Sequence, residues 1–529
     1  MNRTKRPFLS VALAIVAGSA AGCATVNPEP DYLRLRVQVQ RATGYSQTYR
    51  PGDEAALTAH VNALMADGLT ASEAAQIALL NNADLRAACH KIGIARADVV
   101  QSGLLSNPSL GVAFRLPSGG GLANLEADLA QNLAGLWQIP AQVRAAERGL
   151  ERVILDVAAR VARGAAQAKS AYYAAAGADR RLAIAEENLE VTRKVLELAE
   201  FRRSAGAGSE LDVNLARGVV LETELTVQQA RLAAADARRT LAEVLGLTLD
   251  ANELVLTEAL ADVPDNVLDA ELLTKTALTE RLDVRALRQA VHSAEERLVL
   301  EYRRVFPTLK IAVALERGER ERAEGRDLLA DTARASIAAG RLAAPKIEPR
   351  SARHVNTDFT IGPSLALELP IFDQNQAQIA RARYELEQNQ RLLDGLQCTV
   401  QQEVRGVIDR AHTAWQIARY YRDEIVPQAQ RSLGLSRESY HAGKSTVLAV
   451  LDAERTYLIA RDGYVEALLA AAAAAPALER AVGLPFDRVV GAAGGGASTP
   501  PPIEELGDPS DGEAAIGTDS QDLNDRDEP

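Results

Sequence analysis

Between residues 125 and 133 apolar and polar side chains alternate. Leu125, Ala127, Leu129 and Leu133 fall on one side, and Glu126, Asp128, Ala130 and Asn132 on the other, with Gln131 the one polar residue on the apolar side. A period of two is that of a β-strand. Residues 110–116 supply a partner, and Pro117-Ser118-Gly119-Gly120-Gly121 the turn between them. The pattern returns later: Ile311, Val313 and Leu315 alternate with Lys310, Ala312 and Ala314, and Leu365, Leu367 and Leu369 with Ala366 and Glu368. A two-stranded hairpin is barely stable in water, and only long amphipathic helices flank each one. A closed barrel assembled from several chains would turn Leu outward to lipid and Glu126, Asp128 and Glu368 inward to a water-filled lumen. A small soluble sheet laid on the helices is the alternative.

Elsewhere the apolar period is helical. Gly68-Leu69-Thr70 opens a helix that Thr70 or Ser72 can cap, carrying Ala74, Ile77, Ala78, Leu85 and Ile92 and ending before Asn107-Pro108. Residues 140–203 keep a three-four rhythm through Val143, Ala146, Leu150, Val153, Val157 and Val161. At ~1.5 Å per residue that helix reaches roughly 90 to 100 Å. It breaks at Ala205-Gly206-Ala207-Gly208, and Ser209 caps a returning helix to about residue 245. A second helical hairpin runs over 374–439, turns at Ala442-Gly443-Lys444, and returns from Ser445 toward Val482. Gly164 and Pro476 mark bends or changes of packing phase. Residues 28–67 are polar with Pro and Gly breaks and read as an extended linker, and 316–357 as an exposed charged loop.

The spacings repeat. Leu85 precedes Pro108 by 23 residues and Val284 precedes Pro307 by 23; Gly206 to Gly246 and Gly443 to Gly483 are both 40. One unit has therefore been duplicated. The expected organisation is a signal peptide at 1–22, a lipidated linker at 23–67, repeats at 68–262 and 263–487, and an acidic disordered tail at 488–529.

Composition sharpens this. Aromatic residues make up only 4%, which suits helices packed through small side chains. Of the net charge of −12, −9 lies in residues 501–529, leaving a nearly balanced body without the basic footprint that nucleic acid requires. Arg3, Lys5 and Arg6 precede an apolar stretch and small residues running up to Cys23, which reads as an export signal. The run ending in Cys resembles a bacterial lipoprotein signal with Cys23 as the lipidated residue, although Ala20 stands where Leu is usual; Ala24 in place of Asp resembles the outer-membrane sorting signal. Cleavage by the ordinary signal peptidase is the alternative. Cys89 and Cys398 make no disulfide framework and read as small buried apolar residues. No segment has the 18 uninterrupted apolar residues of a spanning helix. The six His are scattered without metal-ligand spacing, and Gly443-Lys444-Ser445 lacks the first Gly of a phosphate loop, with Glu438 in its place. Neither a metal, a cofactor nor an enzymatic activity is expected.

Two short strands, a very long helix, a Gly turn, and the whole repeated: residues 69–486 resemble the TolC family of outer-membrane efflux channels, including its lipidated metal and drug exporters. The best-matching segments are Leu369-Pro370-Ile371-Phe372-Asp373 and Tyr440-His441-Ala442-Gly443-Lys444-Ser445-Thr446-Val447-Leu448-Ala449-Val450-Leu451-Asp452-Ala453. The resemblance implies a homotrimer whose twelve-stranded membrane barrel continues into a periplasmic α-helical barrel. It implies that the two turns (Gly206, Gly208, Leu211 and Asp212; Gly443, Lys444, Ser445 and Leu448) meet a periplasmic adaptor linked to an inner-membrane exporter. It also implies a periplasmic aperture at Asp452; the position three earlier is Ala449, whose first-repeat counterpart is Asp212. A non-channel periplasmic coiled-coil lipoprotein with a structural or adaptor role is the competing reading.

Overall fold

The computed structural model describes residues 25–493 apart from 53, 117–123, 249, 251–252, 259, 261–267, 307, 321–324 and 345–355. The signal peptide, Cys23, the turn at Pro117-Ser118-Gly119-Gly120-Gly121 and the acidic tail beyond 493 lie outside the described residues.

The chain is mostly helical with one small sheet. Its first copy comprises α3 (Ala71–Asn81), α4 (Ala83–Ser102), β1 (Ser109–Arg115), β2 (Asn124–Asn132), α5 (Gly135–Ser204) and α6 (Glu210–Leu245). The second comprises α7 (Ala270–Glu280), α8 (Leu282–Arg303), β3 (Leu309–Arg320), α9 (Gly325–Ala339), β4 (Asn356–Leu367), α10 (Gln376–Tyr420), a π-helical turn (Tyr421–Ile425), α11 (Val426–His441) and α12 (Val447–Val482). Two helices precede them, α1 (Glu29–Thr43) and α2 (Glu54–Leu64), and α13 (Phe486–Ala493) follows. The 70 residues of α5 span about 105 Å.

Several expectations change. Residues 28–67 are not an extended linker: α1 buries Leu35 and Val39 completely against α4 and α5. Its Asp31, wholly buried, takes two 2.6 Å bonds from the Arg96 guanidinium, the paired geometry that makes a buried carboxylate tolerable. The helix opened by Thr70 stops at Asn81, because Asn82 adopts an extended backbone and its carboxamide oxygen accepts from the amides of Asp84 and Leu85 to start α4. Within the loop expected over 316–357 the described residues form regular structure: β3 and β4 pair out to Arg320 and Asn356, and α9 lies between them in sequence. Polar pairs such as Glu316 with Thr360 carry no apolar alternation, so the period gives no sign of that extension. Gly164 and Pro476 sit inside unbroken helices, Gly164 where Leu85 occupies the space a Cβ would need. The second long helix is instead interrupted by the π-turn before Pro427. Cys89 is buried, and burial pushes its thiol up to about 11, but Cys398 is exposed.

The duplication is equally plain in space. Gly246 and Gly483 end α6 and α12 in left-handed conformation, at φ of 69° and 82°. Each lies against the joint between the two short helices of its own copy: a Cβ on Gly246 would meet the Asn81 carbonyl oxygen at 2.9 Å, and one on Gly483 would meet Arg281 Cα at 3.1 Å. Asn82 donates to the Val244 carbonyl at 2.9 Å, and Arg281 to that of Ala481 at 3.1 Å.

Candidate functional site

The four strands form one antiparallel sheet in the order β1-β2-β3-β4. Its register aligns Val112 with Ala127, Ala127 with Leu315, and Leu315 with Ile361; two residues along, Leu110, Leu129, Val313 and Pro363 follow. One face is therefore apolar across all four strands. The described residues do not cover it: Leu110 is 70% exposed, Phe114 71%, Ile361 60% and Leu365 67%. The other face carries Glu126, Asp128, Lys310 and Glu316 among Ala, Gly and Ser. Arg115 pairs with Glu126 at 2.8 Å, and Gly111 leaves the space that the Asp128 carboxylate fills. Glu368 stands one residue past β4, exposed, its amide still bonded to the Thr308 carbonyl at 3.2 Å. Among the described residues no helix is long and apolar enough to cross a membrane.

The opposite end of the molecule holds the two helical turns. Gly206 and Gly443 take φ of 72° and 70°, and the amides two bonds on reach back to the helix: Ala207 to the Arg202 carbonyl at 2.8 Å, Lys444 to that of Ser439 at 2.9 Å. Leu211 and Leu448, equivalent positions 237 residues apart, are 65% and 59% exposed. Gly208 has backbone of Arg202 and Arg203 within 3.2 Å of where a Cβ would stand, whereas Ser445 at the matching place keeps its hydroxyl buried. Asp212 is a helix cap: its carboxylate accepts from the Ser209 amide at 3.1 Å, and its own amide donates to Ser209 Oγ at 3.1 Å. Thr446 begins α12 without a side-chain cap, which is where the second copy has Ala449. Asp452 is exposed on α12.

Sequence reasoning missed two features here. Arg202 joins the turns, donating to the Tyr440 carbonyl at 2.7 Å and lying 4.5 Å from the Tyr440 ring centroid, beside a small core of Val195, Val447, Val450 and Leu451. Glu454 is buried and held by Arg437 at 2.8 Å; burial raises its carboxyl above the ordinary range against the opposing pull of Arg437. Spacing hints at neither, since both depend on which helices are neighbours.

Fold and site define an elongated, duplicated helical protein with an uncovered apolar sheet at one end and paired helical turns at the other. The chain belongs to the outer membrane efflux protein family, whose pattern matches residues 74–247 and 273–484. It is 24% identical over 306 residues to the pyoverdine export outer membrane protein OpmQ of Pseudomonas aeruginosa, an alignment covering 57% of each chain. It is 22% identical over 416 residues to the cobalt-zinc-cadmium resistance protein CzcC of Cupriavidus metallidurans, covering 78% of this chain and 90% of that one. The outer-membrane channel OprN shares the fold, with a TM-score of 0.59 at 19% identity over 84% of this chain and 96% of that one.

Proposed function

We propose that the protein is the passive outer-membrane exit duct of a tripartite efflux pump. The observation that carries this reading is the four-stranded sheet whose apolar face is uncovered and whose β1 and β4 edges pair with no strand among the described residues. In water such a face and such edges are an aggregation hazard; in a membrane a closed barrel satisfies both. Three copies, edge to edge, give twelve strands, with Glu126 and Asp128 lining the lumen and Glu368 at its rim. The helices continue the wall as a hollow periplasmic barrel.

The turns would dock a periplasmic adaptor. Gly206, Gly208, Gly443, Lys444 and Ser445 keep them blunt, and exposed Leu211 and Leu448 offer each turn an equivalent apolar contact. Asp452 from three copies would converge near the axis as an acidic aperture; Asp212, engaged in its cap, supplies structure there rather than a second acidic ring. Cys23 would carry the lipid anchor. An inner-membrane exporter supplies energy and chooses cargo, and the two relatives' names, one for pyoverdine export and one for cobalt-zinc-cadmium resistance, agree with a conduit that does not fix its own substrate.

Planar-bilayer recording of the purified chain tests this. Stable open-channel steps are the expected result; a protein that inserts without conducting supports the structural lipoprotein instead.

A further inference from the structure

Four helices pack in succession as a layer, α4 on α5, α5 on α8 and α8 on α10. One of its faces carries α1, through Asp31 on Arg96 and Gln38 on Arg285 at 2.8 Å. The opposite face is hollow, enclosing about 910 Å³ bounded by all four helices. A curved layer that closes into a tube turns its hollow face to the axis, so this concavity lines the conduit.

Its charge is lopsided. Lys91 from α4, Arg152 and Arg160 from α5, Arg297 from α8 and Arg304 beyond it border the hollow, as does Arg163 of α5, which also reaches the α1 side beside Ala42 and Thr43; Arg304 is held by Glu301 at 2.6 Å. Against these six cations stand three carboxylates, Asp98, Asp156 and Glu385. Two of the three are already engaged, Asp156 with Arg152 at 3.5 Å and Glu385 with Arg381 at 2.9 Å. Lys91, Arg160, Arg163 and Arg297 form no ion pair among the described residues, and all four are exposed. On the same helices Arg96, Arg144 and Arg193 each hold a carboxylate within 3.1 Å, whereas these four cations leave their charge to the hollow.

Resting on the channel reading above, we infer that this wall is an anion-selecting belt: the duct favours cargo bearing carboxylate or phosphate groups over cationic cargo. Guanidinium forks suit such groups, and rings of Arg and Lys bias a pore toward anions. In a wide aqueous passage the belt acts through its field rather than by dehydration, so its influence fades as salt shortens the screening length from ~10 Å at 0.1 M to ~3 Å at 1 M. The polar sheet face and Asp452, at the two ends of the path, lean acidic, and the belt reverses that sign between them.

The test is the reversal potential of the reconstituted full chain in a potassium chloride gradient. The expected result is a chloride-to-potassium permeability ratio above one near 0.1 M salt that declines toward unity near 1 M. The R160E/R297E variant should lower the ratio about threefold or more with single-channel conductance retained, and R160K/R297K should preserve it. A wild-type channel that conducts but prefers potassium overturns the belt and leaves the duct intact, as does an R160E/R297E channel with an unchanged ratio. Absence of any conductance overturns the duct, and the belt with it.

Discussion

The two tips show how one residue changes what a repeated position does. Asp212 and Ala449 occupy equivalent places, yet Asp212 closes a reciprocal cap with Ser209 and Ala449 leaves Thr446 without one. D212A keeps the amide bond to Ser209 Oγ and loses only the carboxylate's, so it should cost about 0.5–1.5 kcal/mol, read as faster amide exchange confined to the first turn of α6, and A449D should slow exchange at the first turn of α12. Glu454 and Asp283 respond to pH with opposite sign. Burial raises Glu454 above its ordinary 4.5, so folding favours its protonated form; its contribution is full below that value and is lost as pH rises through the higher native one. Burial also works to raise Asp283, but the bond and charge of Arg281 prevail and hold it below its ordinary 3.8. Its contribution is present above 3.8 and disappears as pH falls through the native value. Acidification toward pH 4.5 should thus slow exchange around Glu454, after correction for intrinsic rates, without loosening the α7–α8 joint. In E454Q the tip response should vanish.

Between elements, the glycines that end the helices do two jobs that substitution can separate. Gly206 and Gly246 share a positive φ, but nothing lies within 4 Å of a Cβ on Gly206, whereas one on Gly246 would press on the Asn81 carbonyl. G206A should cost only its backbone strain, about 1–2 kcal/mol, and G246A visibly more, as a lower midpoint in thermal unfolding. These turns, the strand faces and the long helices were legible because each follows from a period or a Gly break within a few residues. The break at Asn82 was also written locally, in an Asn able to cap, yet the apolar rhythm ran straight through it. What the chain does not spell out is partnership between distant segments. The packing of α1 depends on Asp31 finding Arg96, and the extension of β3 and β4 on polar cross-strand pairs beyond the apolar face. The link from Arg202 to Tyr440 joins residues 238 apart. Of the candidate site, the shared face of Glu126 and Asp128 could be read ahead from alternation. Glu368 follows the same alternation one residue beyond β4, where its amide still bonds to the Thr308 carbonyl.

At the scale of the molecule, everything turns on what covers the apolar face of the sheet. V313K puts a charge on that face and should cost about 2–4 kcal/mol if it lies near the membrane midplane, seen as loss of the assembled form on unheated gels. D128N, on the other face beside Gly111, should assemble normally. The most direct measurement is the mass of the protein extracted from membranes in mild detergent, by light scattering with the detergent contribution subtracted. The expected result is a species of three chains, each at most 56.5 kDa, which aggregates when the detergent is withdrawn. A single chain that stays monodisperse in plain buffer would contradict a shared barrel, and the conduit with it.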